Sequence, residues 1–405
     1  MTGVQTCALP ICVTLPDSLT TIGEYAFYSS GITSIAIPGN VTSIDDFAFR
    51  ECYSLTSVTI PASTTSIGDE AFAACTRLTD ISVDPNNSYF SSLNGVLYNK
   101  DRSTLICYPS GATAERYVIP DTVTHIGSWG IFVNENLSVV SVPASVASWD
   151  RIHLSCDHLT AINVDPGNTH FSSVNGVLFN KTKDKLLHFP EAWNDTSYTV
   201  PNGVTVIGED AFYMSNLKNV NLPDSVTVIS NWAFGWSDLT DVTLPGSLTS
   251  IGKFAFNGCW NLINVIIPGN VTSIGEEAFT DCKLTSMFIP SSVSRIGTNA
   301  FTGNENLTLT VFPDSTALNY AIENGIPYKT VKALILPQSL TAIEAEAFMN
   351  GTFEAVVIPD GCTAIGSKAF ANCSNLLYVR IPSSMGTIEP DAFSGSGNAY
   401  LDYMK

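Results

Sequence analysis

The chain has 405 residues, of which 14% are charged, and 37 acidic against 18 basic residues give a formal net charge of −19. A chain this acidic repels phosphate backbones and anionic lipid headgroups, so binding to nucleic acid or to a membrane surface is disfavoured. No apolar stretch approaches the roughly 20 residues that a membrane-spanning helix needs. We therefore expect no membrane insertion within this segment.

The first eleven residues, MTGVQTCALPI, share nothing with the rest of the sequence. The string resembles the in-frame translation of a common sequencing adapter, and we expect residues 1–11 to be an artefact without stable contacts. The natural reading frame then enters at about Cys12, already inside a strand. The chain is therefore expected to be a truncated fragment whose signal peptide and anchor are not assessable.

From Cys12 onward one pattern recurs, usually opened by Ile-Pro or Leu-Pro. The sixth residue after the proline is Ile in twelve copies and Trp149 in the other, and the eleventh is Phe in eleven copies, with Ile131 and Leu154 as exceptions. Most copies follow one another at a nearly constant spacing of about 22 residues, and a fixed period of that length is the signature of a solenoid. The thirteen repeat prolines are Pro16, Pro38, Pro61, Pro120, Pro143, Pro201, Pro223, Pro245, Pro268, Pro290, Pro337, Pro359 and Pro382.

The copy around Pro61 shows what each unit contributes. Val58 and Ile60 alternate with polar residues, so they face one side of a short strand, which Pro61 ends because it lacks an N–H. A second extended piece carries Ile67 inward, and the next five residues predict a short helical turn that places Phe72 in the core. The sequence thus predicts a β-rich solenoid, a right-handed stack of 22–23-residue coils with a parallel sheet on one face.

Two intervals between repeat prolines are much longer than the others, from Pro61 to Pro120 and from Pro143 to Pro201. Both contain the same extra module, in which Val83 of the first copy corresponds to Val164 of the second. In the first copy, two apolar runs flank the polar segment 100–103, which predicts a β-hairpin. We expect hairpin-containing variant coils at about 81–119 and 162–200, within a single solenoid over 12–405.

A third departure lies between Pro290 and Pro337, which are separated by about two periods. Residues 316–325 have helical spacing, with a cap at Asp314 or Ser315 and a glycine stop. We expect one helix-containing coil at about 313–330.

Two groups of residues raise the question of metal binding. Asp-Pro-x-Asn at the start of each hairpin module is first a turn signal, and calcium binding is the alternative interpretation. A zinc site needs four ligands, and the one dense His/Cys cluster lacks a second pair nearby, so odd core residues in a degenerate repeat are favoured there. The residues concerned are Asp84, Asn87, Asp165 and Asn168 for calcium, and His153, Cys156 and His158 for zinc.

Most cysteines follow the repeat. Five fall three residues after the repeat Phe, at a position that is otherwise polar or small, which indicates buried free thiols acting as small hydrophobes. A disulfide between sequential neighbours remains the alternative, so the redox compartment is not determined. The five are Cys52, Cys75, Cys259, Cys282 and Cys373.

The residue two before each repeat proline is expected to point away from the core of the coil. Early members of this outward column are mostly polar, whereas later ones are apolar, and the neighbouring column adds Tyr378. Consecutive apolar rungs predict an exposed patch large enough for an interface. β-propensity filling a solvated sheet is the alternative. The predicted partner-binding residues are Ile266, Phe288, Val311, Ile335, Val357 and Tyr378.

The consensus L-x-x-V-x-I-P-x-S-V-x-x-I-G-x-x-A-F-x-x-C, matched nearly throughout by residues 261–279, resembles the BspA-like leucine-rich repeats of bacterial and protist surface proteins. The resemblance covers essentially 12–405 and implies a non-catalytic, extracellular or cell-surface protein that binds protein or glycan partners in adhesion. It implies no active site and no cofactor. Two alternatives stay open: the targeting region of a larger surface protein with an enzymatic domain, and an intracellular scaffold.

Overall fold

A computed structural model describes residues 11–131, 133–150, 154–396 and 399–403. The chain divides into two compact units, the first formed by Met1–Asn194 with Gly208–Asn216 and the second by Asp195–Ile207 with Leu217–Lys405. Each unit is built from coils of a parallel β-solenoid, as the period predicts, and the expected adapter segment lies outside the described residues except for Ile11.

The first unit contains three kinds of strand. Most long strands precede a repeat proline, two-residue strands carry the repeat Ile or Trp, and hairpin strands belong to the extra modules. The long strands are β1 Ile11–Thr14, β3 Ile32–Ala36, β5 Ser57–Ile60, β7 Asp80–Val83, β11 Arg116–Val118, β13 Val139–Val142 and β15 Ala161–Val164. The short ones are β2 Thr21–Ile22, β4 Ser43–Ile44, β6 Ser66–Ile67, β12 His125–Ile126 and β14 Ser148–Trp149. The hairpin strands are β8 Phe90–Leu93, β9 Val96–Asn99, β10 Thr104–Cys107, β16 Phe171–Val174, β17 Val177–Asn180 and β18 Lys185–His188.

The second unit repeats the first two kinds and adds one helix. The long strands are β19 Ser197–Thr199, β21 Asn219–Asn221, β23 Asp241–Thr243, β26 Ser286–Ile289, β28 Thr308–Val311, β29 Tyr328–Thr330, β30 Ala333–Ile335, β32 Ala355–Val357, β34 Tyr378–Ile381 and β36 Tyr400–Tyr403. The short ones are β20 Val206–Ile207, β22 Val228–Ile229, β24 Ser250–Ile251, β25 Ser273–Ile274, β27 Arg295–Ile296, β31 Ala342–Ile343, β33 Ala364–Ile365 and β35 Thr387–Ile388. The helix is α1 Thr316–Glu323.

Equivalent strands of successive coils pair in parallel, one repeat apart. In the first unit Ile22 lies opposite Ile44, and Ile44 opposite Ile67. The repeat Phe rings stack in the same way, with the centroids of Phe27 and Phe49 separated by 5.1 Å and the ring planes 4° apart. Each coil thus buries its apolar residues against its neighbours, as a solenoid requires.

The structure contains the antiparallel strands of both extra modules and one helix. In each extra module three strands pair antiparallel, β8–β9–β10 in the first and β16–β17–β18 in the second. The side chain of Ser315 caps α1 by accepting a hydrogen bond from the backbone N–H of Leu318, at 3.2 Å. Gly325, after the helix, has φ +64°, a conformation that favours glycine.

The expected short helical turn is instead two successive hydrogen-bonded turns. In the copy around Pro61, Glu70 and Ala74 both have φ +55°, and the N–H of Ala73 donates to the carbonyl of Glu70 at 3.1 Å. These left-handed conformations cost roughly 1–2 kcal/mol per non-glycine residue. Hydrogen bonds to the next coil, such as that from the Phe49 N–H to the Ala71 carbonyl at 2.8 Å, offset the cost.

The glycine after the repeat Ile is explained by crowding. A Cβ on Gly297 would lie 2.3 Å from the backbone nitrogen of Glu276, in the preceding coil. A side chain in place of Gly297 would require the two coils to shift apart.

Candidate interaction surface

The outward face of the first strands of unit two is polar and exposed. Thr199, Asn221 and Thr243 lie side by side in parallel register, and the side-chain amide of Asn221 donates to the hydroxyl of Thr199 at 3.3 Å. A second exposed row runs beside them and consists of Ser197, Asn219 and Asp241. Short hydroxyl, amide and carboxylate side chains therefore cover this face in two ordered rows.

The predicted partner-binding residues do not share one environment. Ile266 is 54% exposed and Ile335 is 88% exposed, as the outward column requires. Phe288 and Val357 are half-buried, and Val311 and Tyr378 are buried, at 0% and 2% exposure. The expectation of a continuous exposed apolar column is therefore wrong at Val311 and Tyr378.

Val311 is buried because the strand register differs by one residue in its coil. Val311 lies opposite Ile289, a core residue, whereas Thr310 lies opposite Phe288. The proline that ends this strand, Pro313, comes one residue later than in other coils, so counting two residues back from it selects an inward position. A shift of one residue moves a side chain to the other face of a strand.

Tyr378 is buried because the outward faces of two sheets pack against each other. Strands β26–β28–β29 form one sheet and β30–β32–β34–β36 form another. The Phe288 ring lies 4.8 Å from the Tyr378 ring and 5.8 Å from the Phe312 ring, measured between centroids. We call this group the outward cluster; its members are Phe288, Phe312, Val331, Ala333, Ala355, Val357 and Tyr378.

The turn interpretation of Asp-Pro-x-Asn is correct. Asn168 is fully buried, and its amide nitrogen donates to the carbonyls of Pro143 and Val146, both at 2.8 Å. Its amide oxygen accepts hydrogen bonds from the N–H groups of His170 and Phe171, also at 2.8 Å. Asn87 makes the equivalent four bonds in the first module.

A lysine side chain places a positive charge at each of these turns. The ammonium group of Lys181 donates to the carbonyl oxygens of Asn168 and Pro166, and Lys100 donates to those of Asn87 and Pro85. The backbone carbonyl oxygens of these turns are thus already paired with a positive charge. Sequence reasoning missed this role, although each lysine follows its Asp-Pro motif at the same distance.

Among the described residues, no group of three or more His, Cys, Asp and Glu side chains could hold a metal ion. His153, one member of the suggested zinc cluster with Cys156 and His158, lies outside the described residues.

Sequence reasoning also missed a buried pair in the second hairpin module: His188 Nε2 lies 3.3 Å from an oxygen of Glu191, and both side chains are buried. Burial and the nearby Glu191 carboxylate raise the pKa of Cys156.

The repeat cysteines are buried and they also act as hydrogen-bond donors. Each thiol donates to the carbonyl oxygen of the repeat Phe in the preceding coil, at 3.0–3.2 Å: Cys52 to Phe27, Cys75 to Phe49, Cys259 to Phe234, Cys282 to Phe256 and Cys373 to Phe348. In other coils the hydroxyl of Ser396 and the amide of Asn304 do the same. A polar donor is thus the common property of these seven side chains.

Within the described ranges, no helix is both long enough and apolar enough to cross a membrane.

The repeats that form these coils match a known protein family. A model of the BspA type leucine rich repeat region matches the chain in six copies, within residues 5–103, 107–195, 185–308 and 321–403. The chain belongs to the BspA-type leucine-rich repeat family. No curated protein matches it at a significant level.

Solved structures of similar proteins include two that reach a TM-score of 0.5. A leucine rich cell surface protein from Faecalibacterium prausnitzii A2-165 is 26% identical, over 77% of this chain and 90% of that one, with a TM-score of 0.54. A leucine-rich repeat protein from Eubacterium ventriosum ATCC 27560 is 24% identical, over 97% of this chain and 91% of that one, with a TM-score of 0.50. The second likeness concerns the fold alone.

Proposed function

We propose that this BspA-type chain is the non-catalytic binding region of a secreted or cell-surface protein, and that it captures protein or glycan partners in adhesion. Membership of the family supports a repeat scaffold in this role. The similar protein from Faecalibacterium prausnitzii is described as a cell surface protein, which supports the same location here.

The observation that carries the proposal is the polar strand face of unit two. The side chains of Thr199, Asn221 and Thr243 project from adjacent parallel strands and are exposed. Adjacent strands lie about 4.8 Å apart, so the face offers hydroxyl and amide groups at a regular spacing. An extended ligand with many hydrogen-bonding groups can contact several rungs at once, and exposed Ile266 adds apolar area beside them.

The polar groups buried inside the coils support binding over catalysis. Asn87 and Asn168 use all four of their hydrogen bonds on backbone groups. The repeat thiols donate to backbone carbonyls. These groups hold turns and coils together, which leaves the outer surface to contact partners.

Arrays of neutral and acidic glycans and a panel of extracellular-matrix proteins test the proposal, with the full chain as the soluble analyte. Thr243→Arg places a large cation in the polar rows, and Thr298→Arg makes the same change at an exposed position on the turn side of the same unit. We expect Thr243→Arg to weaken capture about tenfold or more, because the bulky side chain prevents a ligand from lying close against the polar rows. Equal binding by both variants would remove the strand face from consideration.

A further inference from the structure

The first hairpin module interrupts the ladder of long strands and leaves a cavity. Strand β7 pairs only with β5, and β11 is the edge strand of the separate sheet β11–β13–β15. Between them lies a pocket of about 430 Å³, within the range of about 300–1,000 Å³ typical of small-ligand sites. Thr79 directly before β7, Asn94 in the hairpin turn, and residues 112–114 and 116–118 contribute to its wall.

Three tyrosines form the aromatic part of the pocket; Tyr98 and Tyr108 are buried, at 1% and 5% exposure, and Tyr117 is half-buried. The hydroxyl groups of Tyr98 and Tyr117 are hydrogen-bonded to each other at 2.6 Å, and the Tyr108 and Tyr117 rings lie 4.5 Å apart between centroids. Two hydroxyls that share one hydrogen bond retain one proton to donate, together with free acceptor lone pairs. Burial raises the pKa of Tyr108 to about 12. The pocket therefore combines flat rings with neutral hydroxyl groups.

Within the described part of the chain, Arg116 is the only charged residue that lines the pocket. Its side chain is exposed at the edge strand β11. The chain has a net charge of −19. A cationic side chain with no carboxylate among the lining residues therefore distinguishes this pocket. A guanidinium group binds carboxylates with two parallel hydrogen bonds.

The second hairpin module provides an internal comparison, because the alignment that pairs Val83 with Val164 continues through this segment. Ala112 corresponds to Trp193, Tyr108 to Phe189 and Arg116 to Ser197. The Trp193 ring packs 5.1 Å from the Phe189 ring, between centroids. The second copy thus has a large side chain, Trp193, after the hairpin. The first copy has the methyl group of Ala112 at that position, and nearby it has the Arg116 cation and the Tyr108 hydroxyl.

We propose that the pocket of the first module binds a sugar unit that carries a carboxylate. The half-buried Tyr117 ring stacks on the apolar face of the sugar, the exposed side chains of Thr79 and Asn94 bind its hydroxyls, and Arg116 binds the carboxylate. This inference rests on the proposed capture of glycans and assigns one ligand class to a site separate from the polar strand face.

Methyl β-D-glucuronide and methyl β-D-glucoside test it, because they differ only in a carboxylate against a hydroxymethyl group. Calorimetric titration of the full chain should show the glucuronide binding at least about tenfold more tightly, the effect of one charge-assisted hydrogen bond. Arg116→Ser, the residue of the second module, should reduce the preference below about threefold. Arg295→Ser, which removes an exposed cation in the other unit, should leave it unchanged.

Ala112→Trp, which introduces the residue of the second module, should abolish glucuronide binding while the melting temperature stays close to the parent's. If that variant unfolds, Arg116→Ser decides alone, since its side chain is exposed. Binding of neither sugar, equal binding of both, or a preference that survives Arg116→Ser overturns the inference. The Thr243→Arg test is independent, so failure of the pocket and failure of the proposed function are distinguishable.

Discussion

The Sγ atom of Cys373 lies 3.1 Å from the carbonyl oxygen of Phe348, in the preceding coil, and donates a hydrogen bond to it. Four other repeat cysteines make the same contact. The thiol is thus both a small apolar group and a donor that satisfies a buried carbonyl. These two roles predict different responses to substitution.

We expect Cys373→Ala to lower the free energy of unfolding by about 1–3 kcal/mol, because the Phe348 carbonyl loses its donor. Cys373→Ser should stay within about 1 kcal/mol of the parent, since a serine hydroxyl already serves at the equivalent position, Ser396. Urea unfolding measures both. If alanine is tolerated as well as serine, the thiol acts only by packing.

Stability should fall at alkaline pH because of buried thiols. Burial raises the pKa of Cys259 from 9.0 to about 12. Below pH 9 the thiol is protonated in both the folded and unfolded states, so it adds no pH dependence. Between pH 9 and 12 only the unfolded state releases the proton, which lowers the free energy of unfolding by about 1.4 kcal/mol per pH unit.

Unfolding curves at pH 8, 9 and 10 for the parent and for Cys259→Ser isolate this effect, since the contributions of other groups cancel in the difference. The variant should lose stability less steeply above pH 9. Identical slopes would show that Cys259 ionises in the folded state as readily as in the unfolded state.

Asn168→Ala should destabilise the chain by at least about 3 kcal/mol, because the substitution removes four hydrogen bonds to backbone groups, two of them buried. Asn194→Ala, at an exposed position in the same module, should change stability by less than about 0.5 kcal/mol. Thermal or urea unfolding checks both variants. A small effect at Asn168 would mean that the turn forms without its side chain.

Phe288→Asp should destabilise the second unit by about 2–4 kcal/mol, because it places a carboxylate against Phe312 and Tyr378 in the outward cluster. Ile335→Asp makes an apolar-to-acidic change at a residue that is 88% exposed, and it should have almost no effect. Comparison of the two unfolding curves decides the point. Equal stability of both variants would contradict the packing of Phe288.

The period predicts the features that every coil must share. The inward Ile and Phe columns follow from it because each position faces its equivalent in the next coil, as Ile22, Ile44 and Ile67 do. Local signals also predicted the hairpins, but they left the helix cap open between Asp314 and Ser315, of which Ser315 caps α1. These features depend on the residues within one or two coils.

Features that depend on chemistry shared by unlike residues, or on distant coils, did not follow from the sequence. Cysteine, serine and asparagine have only a donor in common at the position of Cys373. The left-handed turn conformations could not be predicted, because residues such as Glu70 and Trp232 rarely adopt a positive φ. The contact between Phe288 and Tyr378 depends on how the strand ladder changes sheet between β29 and β30, which the period does not encode.

That contact changes how the second unit is expected to unfold. In a simple solenoid each coil is held only by its neighbours, so the ends can fray one coil at a time. Phe288 and Tyr378 are several coils apart in the chain, yet their rings touch. Separating them requires the coils between to open together, and the segment from β26 to β34 should therefore lose its amide-exchange protection as one cooperative block.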